Sequence, residues 1–197
     1  MQYLSPLVPQ RADPYLYKFN KKYYFTATCP EYDHIELRCA DTINGIATAT
    51  PRTIWVRHNT GKMASHIWAP EIHYIMGKWV IYFAAGELPG IWEIRPYALI
   101  CEGDDPMEDS WVEAGMMQAA EGDPYSFTDF SLDMTVFEHR GKWYTIWAQK
   151  VGMVNGISNL YIAELENPVK LRTVQVLLTT PDYDWERDGG FWVNEGP

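Results

Sequence analysis

The chain has 197 residues, 47% of them apolar, and carries 16 basic against 26 acidic side chains for a formal net charge of −10. That length suits one domain with a sizeable core, and the acidic balance excludes a nucleic-acid partner, which needs clustered Lys and Arg. No stretch approaches the roughly 18 apolar residues of a membrane span, so no membrane partner is expected either.

Alternation with period two dominates, and Pro or Gly interrupts nearly every window of helical spacing, so the chain reads as all-β. Asp13-Pro14-Tyr15-Leu16-Tyr17 predicts a first strand, Asn20-Lys21 a turn, and Lys22-Tyr23-Tyr24-Phe25-Thr26-Ala27 a second, aromatic strand. A third strand over 35–40 runs into a turn over 41–45, and a fourth follows over 53–56. The pattern returns at Ala69-Pro70-Glu71-Ile72-His73, with a turn at Met76-Gly77 and strands over 78–83, 97–102 and 111–113. It returns again at Asp133-Met134-Thr135-Val136-Phe137, with a turn at Arg140-Gly141 and strands over 142–147, 160–164 and 174–178.

Four short strands per unit, with 56 residues from Asp13 to Ala69 and 64 from Ala69 to Asp133, is the signature of β-propeller blades. A β-sandwich with coincidental spacing is the alternative, and the matched register of three units argues against it. The blades fall near 13–68, 69–132 and 133–194, and a fourth opens at Glu195. The reading is therefore a single domain over 1–197, a propeller incomplete at its C-terminus. Each blade of a propeller packs against two neighbours, so three blades leave two apolar sheet faces open to self-association.

The innermost strand of a blade faces the central channel, and residues at equal register converge there. Those positions hold Asp13, Ala69, Asp133 and Glu195. Taken singly, Asp13-Pro14 reads as a turn dipeptide, Asp133 as a strand-start residue bonded to its own backbone, and Glu195 as a frayed end. Taken together they place three carboxyl groups in one cavity, an arrangement that is costly structurally and frequent at active sites.

Arg11-Ala12-Asp13-Pro14-Tyr15, Trp68-Ala69-Pro70-Glu71-Ile72-His73, Ser131-Leu132-Asp133-Met134-Thr135-Val136-Phe137 and Val193-Asn194-Glu195-Gly196-Pro197 resemble the blade-opening motifs of glycoside hydrolase family 43. The resemblance runs through the whole chain, in order. It implies a five-bladed β-propeller, here about three four-stranded blades and the start of a fourth, and an oligosaccharide substrate. It also implies Asp13 as general base, Glu195 as general acid and Asp133 as the residue that orients the acid, with inversion at the anomeric carbon. Trp68 and Ala69 would line the sugar pocket, and Trp92, with Trp147 beside it as a further candidate, would offer an aromatic face to a ring. The activity implied is that of an α-L-arabinofuranosidase. Alternatives are a β-xylosidase or arabinanase of the same family, a non-catalytic carbohydrate-binding propeller, or an inactive fragment. A retaining, sucrose-cleaving propeller would carry Asn-Asp-Pro where this chain has Arg11-Ala12-Asp13-Pro14. No cofactor is required, and the metal the resemblance implies is a structural calcium in the central channel of the full-length propeller.

Other motifs add little. Asp184-Trp185-Glu186-Arg187-Asp188-Gly189, followed by Glu195, nearly fits an EF-hand loop, yet Glu186 is too long for its position and no helix leads in. His34, His58, His66, His73 and His139 show no zinc spacing, so no metal is expected at the site. His66 could reach the cavity, and the commoner role for such a residue is packing. Met1-Gln2-Tyr3-Leu4-Ser5-Pro6 lacks the regions of a secretory signal, and Cys29, Cys39 and Cys101 are odd in number and widely spaced. A cytoplasmic protein with reduced thiols is the expectation.

Overall fold

The computed structural model describes residues 3–151, 156–188, 192–194 and 196, and it is nearly all-β. The first sheet holds β1 (Ala12–Phe19), β2 (Lys22–Thr28), β3 (His34–Ala40) and β4 (Arg52–Val56), side by side in chain order. The second holds β5 (Gly61–Ile75), β6 (Lys78–Leu88), β7 (Arg95–Cys101) and β8 (Trp111–Met116), again in order. In the third, β9 (Ser131–His139), β10 (Lys142–Val151) and β11 (Ile157–Asn167) follow one another, and three short pieces share the outer place on β11. These are β12 (Lys170–Leu171), β13 (Val176–Thr179) and β14 (Trp192–Val193), the last running parallel to β11 and the others antiparallel.

The turns expected between first and second strands are the tight hairpins the sheets need. Asn20-Lys21, Met76-Gly77 and Arg140-Gly141 all take positive φ at both residues, the conformation whose twist matches that of the flanking strands. Two local differences from the sequence reading have simple causes. The turn expected over 41–45 becomes a one-turn helix, α1 (Ile43–Ile46), because Thr42 Oγ1 accepts from the Gly45 N–H at 3.0 Å and caps it. The second blade starts earlier than 69: β5 pairs from Gly61 onward with the far end of β6, through two register shifts before Trp68.

The second sheet is the sandwiched one. β6 is buried almost throughout, whereas β1 is mostly exposed, as expected of a strand covered on both faces against one covered on one. Tyr24, Ile35 and Leu37 of the first sheet pack on Ile72, Trp79, Ile81, Phe83 and Leu99 of the second. Val80, Tyr82 and Ala98 pack on Met134, Val136, Trp147 and Tyr161 of the third. Trp79 fastens the first joint, with ring centroids 4.8 Å from Tyr24 and 4.9 Å from Phe19, and its Nε1 donates to the Asp104 carbonyl at 3.0 Å. Trp147 does the same for the second joint: it is fully buried, its Nε1 donates to Gln149 Oε1, and it is no platform for a sugar. On the far side of the first sheet, Leu7 and Val8 cover Phe25, Ala27 and Ile46. On the third, Val176, Leu177 and Leu178 remain exposed. All three cysteines are free thiols.

The near-EF-hand segment is irregular. A three-residue 3₁₀ turn spans Asp184–Glu186, and Glu186 Oε2 is occupied by the backbone N–H groups of Asp182 and Tyr183, both at 2.8 Å.

Candidate active site

Each first strand carries the same defect at the same place. Ala12 pairs with Thr28 and Tyr15 with Thr26, so Asp13 and Pro14 together stand opposite a single residue. Trp68 pairs with Ala84 and Glu71 with Tyr82, around Ala69 and Pro70. Leu132 pairs with Ala148 and Thr135 with Ile146, around Asp133 and Met134. The first bulged residue is left-handed in all three, with φ of 49° at Asp13, 45° at Ala69 and 50° at Asp133. None of the three is glycine, so the conformation is strained, and a bulge of this kind re-aims the side chain it carries.

The three bulges line one open cleft of about 560 Å³, together with Thr28, Tyr32, Trp68, Glu71, Leu132 and Gly196. Of the residues expected from the sequence, Asp13, Trp68, Ala69 and Asp133 therefore meet in one place. Glu195 lies outside the described residues; Gly196 lines the cleft, and Asn194 is tied to the third sheet through its N–H to the Ser158 carbonyl at 3.0 Å.

Asp13 is exposed to the cleft and held from behind. Thr28, 3% exposed, donates its hydroxyl to Asp13 Oδ2 at 2.6 Å, and the same Oγ1 accepts the Ala69 N–H at 2.7 Å. With Ala69 occupying a lone pair, the hydroxyl proton points at the carboxylate in a short hydrogen bond. The second sheet thus orients the carboxylate of the first.

One step further along the same strand faces stand Tyr15, Glu71 and Thr135, also at equal register. Burial, and next the charge of Glu71, push the Tyr15 phenol well above its ordinary pKa, so it stays a donor. Tyr15 O–H reaches His73 Nδ1 at 3.4 Å, His73 Nε2–H donates to Glu71 Oε2 at 2.9 Å, and Thr135 Oγ1–H donates to the same oxygen at 2.7 Å. Because the Glu71 carboxylate can only accept, the contact at Nε2 is one in which His73 donates.

Trp68 forms an aromatic wall, with Tyr32 edge-on at 5.9 Å and His66 at 4.5 Å. His66 also stacks on Trp92 at 4.9 Å, which makes it a packing residue between two tryptophans. Trp92 does not line the carboxylate cleft. It lines an adjoining one of about 480 Å³ with Phe130, Lys150, Ser158 and Val193, and Leu132 is common to both.

Sequence reasoning missed Thr28, Tyr15, Glu71 and His73 as site residues. Period two from Asp13 and Ala69 would have placed Tyr15 and Glu71 on the channel face. Thr28 carries no such signal, since its role depends on the register of β1 against β2.

Among the described residues no group of three His, Cys, Asp or Glu ligand atoms lies close together in the cleft. The one such group, Cys29, His34 and Glu36, has ligand atoms within 4.8 Å of one another. Yet Glu36 Oε1 is taken by Arg11 at 3.1 Å and Arg38 at 3.3 Å, and burial, then Glu36, pushes the Cys29 thiol up to about 11. A protonated thiol beside two guanidinium groups does not attract a cation.

The sequence profile of the family "Glycosyl hydrolases family 43" matches residues 3–197. The chain is 46% identical over 196 residues to an extracellular exo-α-(1→5)-L-arabinofuranosidase of Streptomyces chartreusis, covering 99% of this chain and 58% of that protein. It is 44% identical over 199 residues to α-L-arabinofuranosidase 43 of Humicola insolens, covering 100% of this chain and 40% of that one. The crystal structure of an α-L-arabinofuranosidase from Lactobacillus brevis superposes with a TM-score of 0.87 at 49% identity, over 98% of this chain and 60% of the other. The chain thus spans little more than half the length of the first of these relatives and less of the second.

Proposed function

The chain belongs to glycosyl hydrolase family 43, and from that premise we propose that its cleft is the sugar-binding and bond-cleaving centre of an inverting α-L-arabinofuranosidase. The observation that carries this reading is the convergence of Asp13 and Asp133 on one cleft through identical strained bulges. The names of the similar proteins support the pentose and its furanose form.

In this mechanism Asp13 is the base. Its carboxylate is open to the cleft on one side and anchored by Thr28 on the other, so it can take a proton from a water that attacks the anomeric carbon. Glu195 is the acid that protonates the departing oxygen. Asp133, on the next bulge but one from Asp13, orients that acid, and its charge favours the acid's protonated form. Base and acid in an inverting pair stand about 6.5–9.5 Å apart, which leaves room for the water. Trp68 closes one side of the sugar site and shields the reacting bond from bulk solvent.

The test is hydrolysis of p-nitrophenyl α-L-arabinofuranoside, with the matching β-D-xyloside as control. Asp13→Asn and Glu195→Gln should each lower kcat/KM about 10²–10⁴-fold, and proton NMR should show the inverted anomer first. Retention of configuration, or full activity in Asp13→Asn, would overturn the mechanism. Turnover of the xyloside alone would move the substrate to xylosyl units.

A further inference from the structure

Glu71 is not needed by the two-carboxylate mechanism, yet it lines the same cleft as Asp13 and Asp133. Its surroundings are unusually directional for a partly exposed carboxylate. Two donors from two different sheets, His73 Nε2–H of the second and Thr135 Oγ1–H of the third, converge on Oε2. The His73 side chain is 4% exposed and receives the Tyr15 phenol of the first sheet on its other nitrogen. All three blades therefore act to lock one oxygen of one carboxylate. Among the described residues the other oxygen, Oε1, accepts no hydrogen bond. The Glu71 side chain is 22% exposed, so its carboxylate is accessible from the cleft.

An ionised carboxylate accepts and never donates. With Oε2 saturated, what Glu71 offers a ligand is an acceptor of fixed direction, suited to an O–H group and repelled by an ether or carbonyl oxygen. We propose that Glu71 is a specificity-determining residue that accepts a hydrogen bond from a ring hydroxyl of the bound pentofuranosyl unit, and that His73 and Thr135 are the residues that position it. This rests on the reading of the cleft as a sugar site. A site built around such an acceptor rejects an analogue lacking the hydroxyl, because the carboxylate is then left desolvated without a partner. The substitution Glu71→Gln tests the point sharply. The amide oxygen would be drawn to the two donors, leaving the NH₂ to face the sugar where an acceptor stood.

The experiment is NMR titration of the full chain with methyl α-L-arabinofuranoside and with its 2-deoxy and 3-deoxy analogues. The wild type should bind the parent sugar about ten- to a hundredfold more tightly than at least one deoxy analogue, the range expected of a hydrogen bond to a charged group. In Glu71→Gln that ratio should fall to within about threefold of unity, while the affinity for the discriminated analogue changes little. Thr135→Val, which keeps the carboxylate and removes one of its anchors, should give an intermediate ratio. A purely structural role would weaken all sugars alike and leave the ratio intact, and that result overturns the assignment. So does a wild type that binds parent and both deoxy sugars equally, a measurement that does not depend on any variant folding. In either case binding of the parent leaves the sugar-site reading standing. A wild type that binds none of them overturns both.

Discussion

The bond from Thr28 to Asp13 gives the most direct test of how the sheets cooperate. Thr28→Val keeps the shape of the side chain and removes only the hydroxyl. Two partners then lose out. Asp13 gives up a 2.6 Å charge-assisted bond, and the Ala69 N–H gives up its 2.7 Å acceptor at a strained, left-handed residue. A hydrogen bond to a charged group contributes about 1.5–3 kcal/mol, and an orphaned buried donor costs about 1–3 kcal/mol. Asp13 is exposed and can recruit water, so its share belongs at the low end, and the expected destabilisation is about 2–4 kcal/mol in total. Thr28→Ser keeps both bonds and loses one methyl group, which is worth about 1 kcal/mol.

The assays are urea unfolding and kcat/KM on the arabinofuranoside. With Asp13 no longer held, kcat/KM should fall about ten- to a hundredfold in the Val variant, the rate equivalent of about 1.5–3 kcal/mol. The Ser variant should stay within about threefold of the wild type, since each 1.36 kcal/mol is a factor of ten. If Ser and Val are equally damaged, packing and not the hydroxyl is what matters. A Val variant with wild-type stability and rate would refute the bridging role of Thr28.

Other consequences can be measured on the same protein. Burial alone would raise the pKa of Glu36, but the hydrogen bond from Arg11 and the charges of Arg11 and Arg38 outweigh it and hold the carboxyl below its usual value. The stability it contributes is therefore present above the ordinary glutamate range and lost as pH falls through the depressed value. An acid titration of unfolding should show that slope in the wild type and lack it in Glu36→Gln, which should also cost about 3 kcal/mol at neutral pH by leaving two arginines beside a neutral partner. Trp79→Ala should cost about 3–5 kcal/mol by emptying the joint between first and second sheets, read as a lower denaturation midpoint. Tyr82→Phe should cost about 1 kcal/mol through loss of the buried bond from its hydroxyl to the Pro168 carbonyl at 2.7 Å, with no change in cleft geometry.

Much of the fold is legible because two local signals coincide. Lys22-Tyr23, Lys78-Trp79 and Lys142-Trp143 each open a second strand just after a two-residue turn, and tight hairpins fix register as well as direction. The outer strands are less legible because little holds them. β13 is exposed along its whole length, and the edge of the third sheet is divided among β12, β13 and β14, so no alternation of buried and exposed residues marks it. The early start of β5 is hidden for a related reason. Its register shifts twice between Gly61 and Trp68, with positive φ at Met63 and His66, and each shift breaks the period that sequence reading relies on.

The site divides along the same line. Asp13, Ala69 and Asp133 can be found from sequence because repetition of the blade repeats the bulge, so equal register implies equal backbone and equal direction. What Asp13 leans on cannot be found that way, because Thr28, its partner in space, has no counterpart role in the other blades. At the equivalent positions, paired with Trp68 and Leu132, stand Ala84 and Ala148, which have no hydroxyl to give. The same holds for Glu71, whose register mates are Tyr15 and Thr135. Three equal backbones carry three different side chains, and a tyrosine donor, a carboxylate acceptor and a threonine donor make a closed hydrogen-bond set only when brought together. The repeat supplies the scaffold, and the departures from the repeat supply the chemistry. Replacing Thr28 by the alanine found at its equivalents should therefore free Asp13 and the Ala69 N–H together and destabilise the chain at least as much as Thr28→Val does, so a Thr28→Ala variant with wild-type stability and kcat/KM would show that the hydroxyl is not what the departure supplies.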